Sequence, residues 1–132
     1  MIHTNVSKLH NFFYYWFPVF IYCLLIFIQS SYPAPEQVPD WSYFDKLLHV
    51  VCYAFLGVLF LRAFLTTRIK QNVRLVITFS ILCSSLYGIS DELHQHFVPF
   101  RNADLMDALA DILGSVWGVY VYKLFIIKNF KI

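Results

Sequence analysis

Four apolar segments, each close to the length of a membrane-crossing helix, constrain this 132-residue chain more than any other feature. They run over Phe12–Ile28, Leu47–Leu65, Val73–Ile89 and Leu105–Ile127. A helix rises about 1.5 Å per residue, so about 20 residues cross ~30 Å of hydrocarbon. Lipid offers no partner for a free backbone N–H or C=O, so each segment must satisfy its own hydrogen bonds and is expected to be helical. The fold expected is all-α, a four-span transmembrane helical bundle forming a single domain over residues 1–132. Pro18 falls inside the first segment, where it can kink a helix without ending it. Composition suits a lipid bilayer: 59% of residues are hydrophobic and 14% charged, against about 25% charged in soluble domains.

The formal charge of +2, with no basic tract and no aromatic–basic alternation, gives no footing for nucleic acid. Cys23, Cys52 and Cys83 each sit inside an apolar run. An odd, widely spaced set of this kind reads as small apolar filler, not as a disulfide framework or metal knuckle. The first segment, with Lys8 before it, has the outline of a signal peptide, but Tyr32 occupies the −3 position relative to Ala34 and Pro35 follows. A small-x-small cleavage site is missing, so the segment reads as a retained anchor.

The connections set an orientation. Gln29–Phe44 is a proline-rich coil containing Pro33, Pro35 and Pro39 with Glu36 and Asp40. Thr66–Asn72 is short and basic, with Arg68 and Lys70 inside it and Arg62 and Arg74 beside it. Lys123, Lys128 and Lys131 lie at the C-terminal end. The positive-inside rule places these charges, Lys8 and both termini in the cytoplasm, making the chain a multi-pass protein of the cytoplasmic membrane. The proline-rich connection and the third connection then share the extracytoplasmic face.

Polar residues gather at that face in two groups. In the stretch FDKLLHVVCYAFLG, Asp45, His49 and Tyr53 follow one another at i, i+4 and i+8, so they stack along one helix face beside Lys46. In SDELHQHFVPFRNADLMDALADILG, Asp91 pairs with Gln95 and Glu92 with His96 at i, i+4. Pro99 is expected to end that helical stretch, Asn102 to cap the last span, and Asp104 to sit in its first turn. Asp104, Asp107, Asp111, Gly114 and Gly118 share one face of the last span. Gly114 and Gly118 form GxxxG, which lets a second helix approach, so the acidic face is expected to be the packing face, turned toward His49, Lys46 or Arg101. A carboxylate past the helix start costs ~2–3 kcal/mol to insert. Asp107 and Asp111 therefore read either as salt-bridged locks, with Arg101 or Lys46, or as part of a functional site. Asp45 and Lys46 also suit a helix start, His49 a satisfied core histidine, and His94 and His96 interfacial positions.

These two stretches resemble the VanZ-like integral membrane proteins. The shared pattern is D-K-x-x-H-x-x-x-Y, then S-D-E-x-H-Q-x-F-x-P-x-R-x-x-D-x-x-D and a glycine-containing last span. It is met at Asp45, Lys46, His49, Tyr53, Ser90, Asp91, Glu92, His94, Gln95, Phe97, Pro99, Arg101, Asp104 and Asp107, within a resemblance running roughly from Ser30 to Gly118. Phe100 stands where glycine is usual and Asp111 where asparagine is frequent. The founding member of that family is associated with resistance to the glycopeptide teicoplanin, which implies work on or near the cell envelope.

The leading expectation is a protein that binds, and processes, an anionic envelope or lipid-linked molecule. Lys46 and Arg101 would bind its phosphate or carboxylate, with Gln95 and Tyr53 lining the same place. His49 would carry the proton, since its reference pKa is about 6.5. Asp91, Glu92 or Asp107 would orient it or act as base. Asp45, His94, Asp104 and Asp111 would support these residues. No cofactor is required; an alternative chemistry uses a divalent metal on Asp45, His49, Glu92 and Asp107, although no HExxH-type spacing supports it. The non-enzymatic alternative is an accessory membrane protein whose charges lock the helices or dock a partner. No sequence feature fixes an oligomeric state.

Overall fold

The structure, a computed structural model, describes residues 2–33, 42–99, 101 and 103–130, with side chains over 10–33, 43–99, 101 and 103–126. Its helices are α1 (Ile2–Ser30), α2 (Ser42–Phe64), α3 (Val73–Gln95) and α4 (Leu105–Phe130), with a single 3-10 turn at Arg68–Gln71. Among the described residues there is no strand. All four helices contain a stretch long and apolar enough to cross a membrane, and the chain is a multi-pass membrane protein.

Counting apolar residues places the spans correctly but cuts the helices short. α1 starts at Ile2 and runs unbroken through Pro18. α2 begins at Ser42, so Asp45 and Lys46 lie in its opening turns. α3 continues past Ile89 to Gln95, carrying Asp91 and Glu92 on the same helix as the span. Pro99 does not end it; the chain leaves the helix at His96 through turns at Phe97 and Val98. The basic connection is closed by its own side chains: Thr66 and Thr67 hydroxyls donate to Ala63 and Phe64 carbonyls at 2.7 Å. Asn72 then caps α3 by accepting the Leu75 N–H at 3.2 Å.

α2, α3 and α4 pack on one another, with α2 and α4 the most intimate pair, and α1 lies against α2 and α3. The start of α2 meets the start of α4 through Lys46, and the ends of α1 and α3 meet through Ser31 and His94. The helices therefore alternate in direction, with α2 parallel to α4. The apolar core sits toward the basic end: Leu61, Val76, Ile77 and Val119 form one cluster, and Val19, Leu59 and Ala63 another. α1 turns Phe12, Phe13, Phe17, Phe20 and Leu24 outward, as a lipid-facing helix does.

The middle of the bundle is built differently. Gly114 lies on the Val50 carbonyl and Gly118 on the Ala54 carbonyl, so the GxxxG face is the α2 contact. A Cβ at Gly57 would come 3.0 Å from the Ser115 carbonyl oxygen, and one at Gly88 would come 2.7 Å from Asp111. Ser80, Ser84, Ser85 and Ser115 are buried along the same seam. Ser115 donates to Ser84 at 2.7 Å and Ser84 to the Tyr53 carbonyl at 3.2 Å, joining α4, α3 and α2. Small residues let the backbones approach, and that approach brings the polar ends of three helices together.

Candidate functional site

The polar end of the bundle is organised around the first turns of α2 and α4. Lys46 Nζ lies 2.9 Å from Asp104 Oδ2 and 3.1 Å from Asp107 Oδ1, tying α2 to α4. Asp104 precedes the first residue of α4 and accepts the Met106 N–H at 2.9 Å, so it occupies the capping position. The expectation for Asn102 falls outside the described residues, as does the departure at Phe100. Lys46 and the Met106 N–H together hold the Asp104 carboxyl below the usual carboxylate range. Glu92 reaches across from α3 and accepts the Asp104 N–H through Oε2 at 3.1 Å.

One turn deeper, His49 of α2 meets Asp111 of α4. His49 Nδ1 and Asp111 Oδ1 lie 2.8 Å apart in a hydrogen bond, with Nδ1–H the donor when the carboxylate is ionised. Glu92 Oε1 stands 3.9 Å from the same nitrogen. Asp111 is wholly inaccessible to solvent, and its Oδ2, over Gly88, has no hydrogen-bond partner among the described residues. Tyr53 continues the His49 face: the rings lie parallel within 6° at 6.4 Å, and the buried Tyr53 hydroxyl is likewise without a partner. Gln95 donates to Asp91 at 3.1 Å, with Glu92 Oε1 at 3.5 Å from the same amide nitrogen.

Beside this network lies a cavity of about 80 Å³, walled by Asp45, His49, Tyr53, Asp91, Gln95 and Arg101 among others. Arg101 enters it from the α3–α4 connection. Its Nε donates to the Tyr32 carbonyl at 2.9 Å and its Nη2 to the Gln29 carbonyl at 3.1 Å, at the end of α1, where positive charge suits the helix dipole. Among the described residues Arg101 forms no ion pair. Asp104 and Asp107 are thus taken by Lys46 and Asp111 by His49, and Arg101 serves α1 instead.

The structure brings together Asp45, Lys46, His49, Tyr53, Asp91, Glu92, Gln95, Asp104, Asp107 and Asp111, with Arg101 across the cavity. His94 stands apart: it stacks on Phe27 at 4.6 Å and meets the Ser31 hydroxyl at 3.0 Å, fixing α3 to α1. His96 is exposed beside Phe97. Two sets could hold a metal, Asp45–His49–Asp107 and His49–Glu92–Asp111, with ligand atoms in each within 4.8 Å of one another. The quartet expected from sequence divides between them. Sequence reasoning missed Ser84, Ser115 and Gly88. Their signal was present as Ser80, Ser84 and Gly88, small residues at four-residue spacing in α3.

Comparison with known proteins gives one positive result. The family model described as VanZ/LLP1 matches residues 5–126, nearly the whole chain. No curated protein and no solved structure matches.

Proposed function

We propose a function from one premise: the chain belongs to the VanZ/LLP1 family. In this reading it is a cytoplasmic-membrane protein with both termini inside, and its polar end, facing outward, binds and processes an anionic envelope or lipid-linked molecule. Arg101 carries the reading. A guanidinium has five N–H donors in a planar fork, and the two carbonyl contacts leave most of that fork and all of the charge for a phosphate or carboxylate. It faces the cavity that His49 also lines, so a bound anion lies next to the histidine that Asp111 orients.

The chemistry then divides by position. Arg101 fixes the anionic group, Gln95 and Tyr53 shape the cavity, and Asp45 or Asp91 at its wall accepts a proton. Asp111 holds the His49 ring with Nδ1 inward, which frees Nε2 to exchange a proton with the ligand. Lys46, paired twice, positions the helices and leaves anion binding to Arg101.

A second reading has its own support. The Lys46 bridge and the His49–Asp111 bond both cross from α2 to α4, as an interhelical lock would. The two separate in a deletion strain complemented with variants and profiled for envelope lipids and precursors. Under the ligand-site reading, wild type restores the profile while Arg101→Gln and His49→Ala do not, although both accumulate folded in the membrane. Loss of folded protein in both variants supports the lock.

A further inference from the structure

We propose that His49, Glu92 and Asp111 form a binding site for a divalent transition-metal cation, Zn2+ or Mn2+, in the buried heart of the polar end. The proposal deepens the reading above and rests on the same region. Its ligands exclude Arg101, so the two can fail separately.

Charge is the first ground. Asp91, Glu92, Asp107 and Asp111 are each at most 6% exposed. Lys46 answers Asp107 and the half-exposed Asp104, and His49 answers Asp111. Asp91 has the amide of Gln95, and Glu92 has that amide at 3.5 Å, the N–H of Asp104 and, at 3.9 Å, the His49 ring already bonded to Asp111. Negative charge at the edge of a hydrocarbon layer is costly unless paired, and a divalent cation supplies what one histidine cannot.

Geometry is the second. One imidazole nitrogen and two carboxylate oxygens come from three different helices and converge within 4.8 Å. His49 Nδ1 is 2.8 Å from Asp111 and 3.9 Å from Glu92. Metal bonds of about 2.0–2.2 Å place neighbouring ligand atoms roughly 3.0–3.5 Å apart, so both His49 distances need only sub-ångström adjustment. The mixed nitrogen and oxygen set suits Zn2+ or Mn2+ better than Mg2+ or Ca2+, which prefer oxygen alone. The competing set, Asp45–His49–Asp107, is less suited because Asp107 already holds the Lys46 ammonium, whose charge repels a cation.

Orphaned polar atoms are the third, and they point to a ligand independently of the acidic cluster. Asp111 Oδ2 is buried without a partner, and a bidentate carboxylate on a cation satisfies it. The Tyr53 hydroxyl is buried without a partner in the wall of the cavity that His49 lines, where a metal-bound water or a ligand oxygen would meet it. Gly88 leaves the room that Asp111 occupies, and Gly114 sets the α2–α4 spacing, so the ligands rest on fixed backbones. Of the three ligands, His49 also lines the cavity.

The test uses full-length protein purified in detergent, stripped with chelator, loaded with Zn2+ or Mn2+ and desalted before metal analysis. Wild type is expected to keep near-stoichiometric Zn2+ or Mn2+ and to melt at a higher temperature with it. Retention should fall at least about tenfold in Asp111→Asn and in Glu92→Gln. It should persist in Asp45→Asn, which separates the two candidate sets, and in Arg101→Gln, which separates this proposal from anion binding. Should Asp111→Asn fail to fold, the Co2+ absorption spectrum of wild type decides: an N/O-ligated tetrahedral or five-coordinate band supports the site. Folded wild type that retains neither metal, shows no thermal shift and gives only the spectrum of aqueous Co2+ overturns the proposal. So does equal retention in Asp111→Asn and Glu92→Gln.

Discussion

Replacing Gly114 with alanine adds one methyl group where α4 touches α2, and the structure fixes how much that should cost. The new Cβ would lie 2.9 Å from both the Cα and the carbonyl carbon of Val50. Carbon atoms rest at about 3.5–4.0 Å, so the helices must separate by roughly 0.6–1 Å. The obstacle is backbone, which cannot swing aside as a side chain can. Overpacking of this kind costs about 1–3 kcal/mol. The same displacement stretches the His49–Asp111 contact from 2.8 Å to beyond the ~3.2 Å limit of a good N–H···O bond. Gly118→Ala meets the Ala54 backbone more closely still, at 2.6 Å from its Cα and carbonyl carbon, but lies about one turn further from Asp111. Gly57→Ala is milder, at 3.0 Å from Ser115 O and 3.1 Å from the Val119 side chain. Thermal unfolding in detergent, followed by tryptophan fluorescence, should rank the losses as Gly57→Ala smallest, with Gly114→Ala and Gly118→Ala both larger. The histidine ring signals by NMR should report a changed His49 environment in Gly114→Ala and an unchanged one in Gly118→Ala. Wild-type melting for Gly114→Ala would refute the close approach of α2 and α4 on which the site depends.

Other outcomes follow from the same contacts. Tyr53→Phe removes a buried hydroxyl with no partner, so ligand-free protein should gain up to about 1–2 kcal/mol in denaturation, while function falls. Asp107→Asn removes one carboxylate from a crowded set while leaving Lys46 its Asp104 partner, so melting should change little even as envelope complementation is lost; a large drop would favour the lock. Cysteine labelling at Gln37 and Asn102 should succeed from outside the cell, and at Gln71 only after permeabilisation; the reverse pattern would put the polar end in the cytoplasm.

The spans were legible in the sequence because hydrocarbon tolerates few charges, and an apolar run of the right length leaves little else to form. Helix ends were less legible. A hydropathy count stops at the first polar residue, whereas backbone hydrogen bonding continues through Asp91, Glu92 and Gln95 to the end of α3. The meeting of Asp107 and Asp111 with Lys46 and His49 could be inferred from helical spacing and complementary charge. Arg101 could not be placed that way, because its partners are main-chain carbonyls that any residue carries. The serine seam escaped notice for a similar reason. Ser84 and Ser115 are too small and too weakly polar to interrupt an apolar run, and their importance appears only where two backbones approach.

The ligand-binding reading of the polar end is tested most directly by native mass spectrometry of the purified protein. Wild type released from detergent micelles should retain anionic lipids or lipid-linked envelope molecules in preference to zwitterionic lipids. Arg101→Gln, equally folded, should lose that preference, because its amide cannot replace a charged fork whose only described partners are the Gln29 and Tyr32 carbonyls. Identical lipid retention by wild type and Arg101→Gln would contradict the assignment of this end as an anion site and leave the charges as a lock between helices.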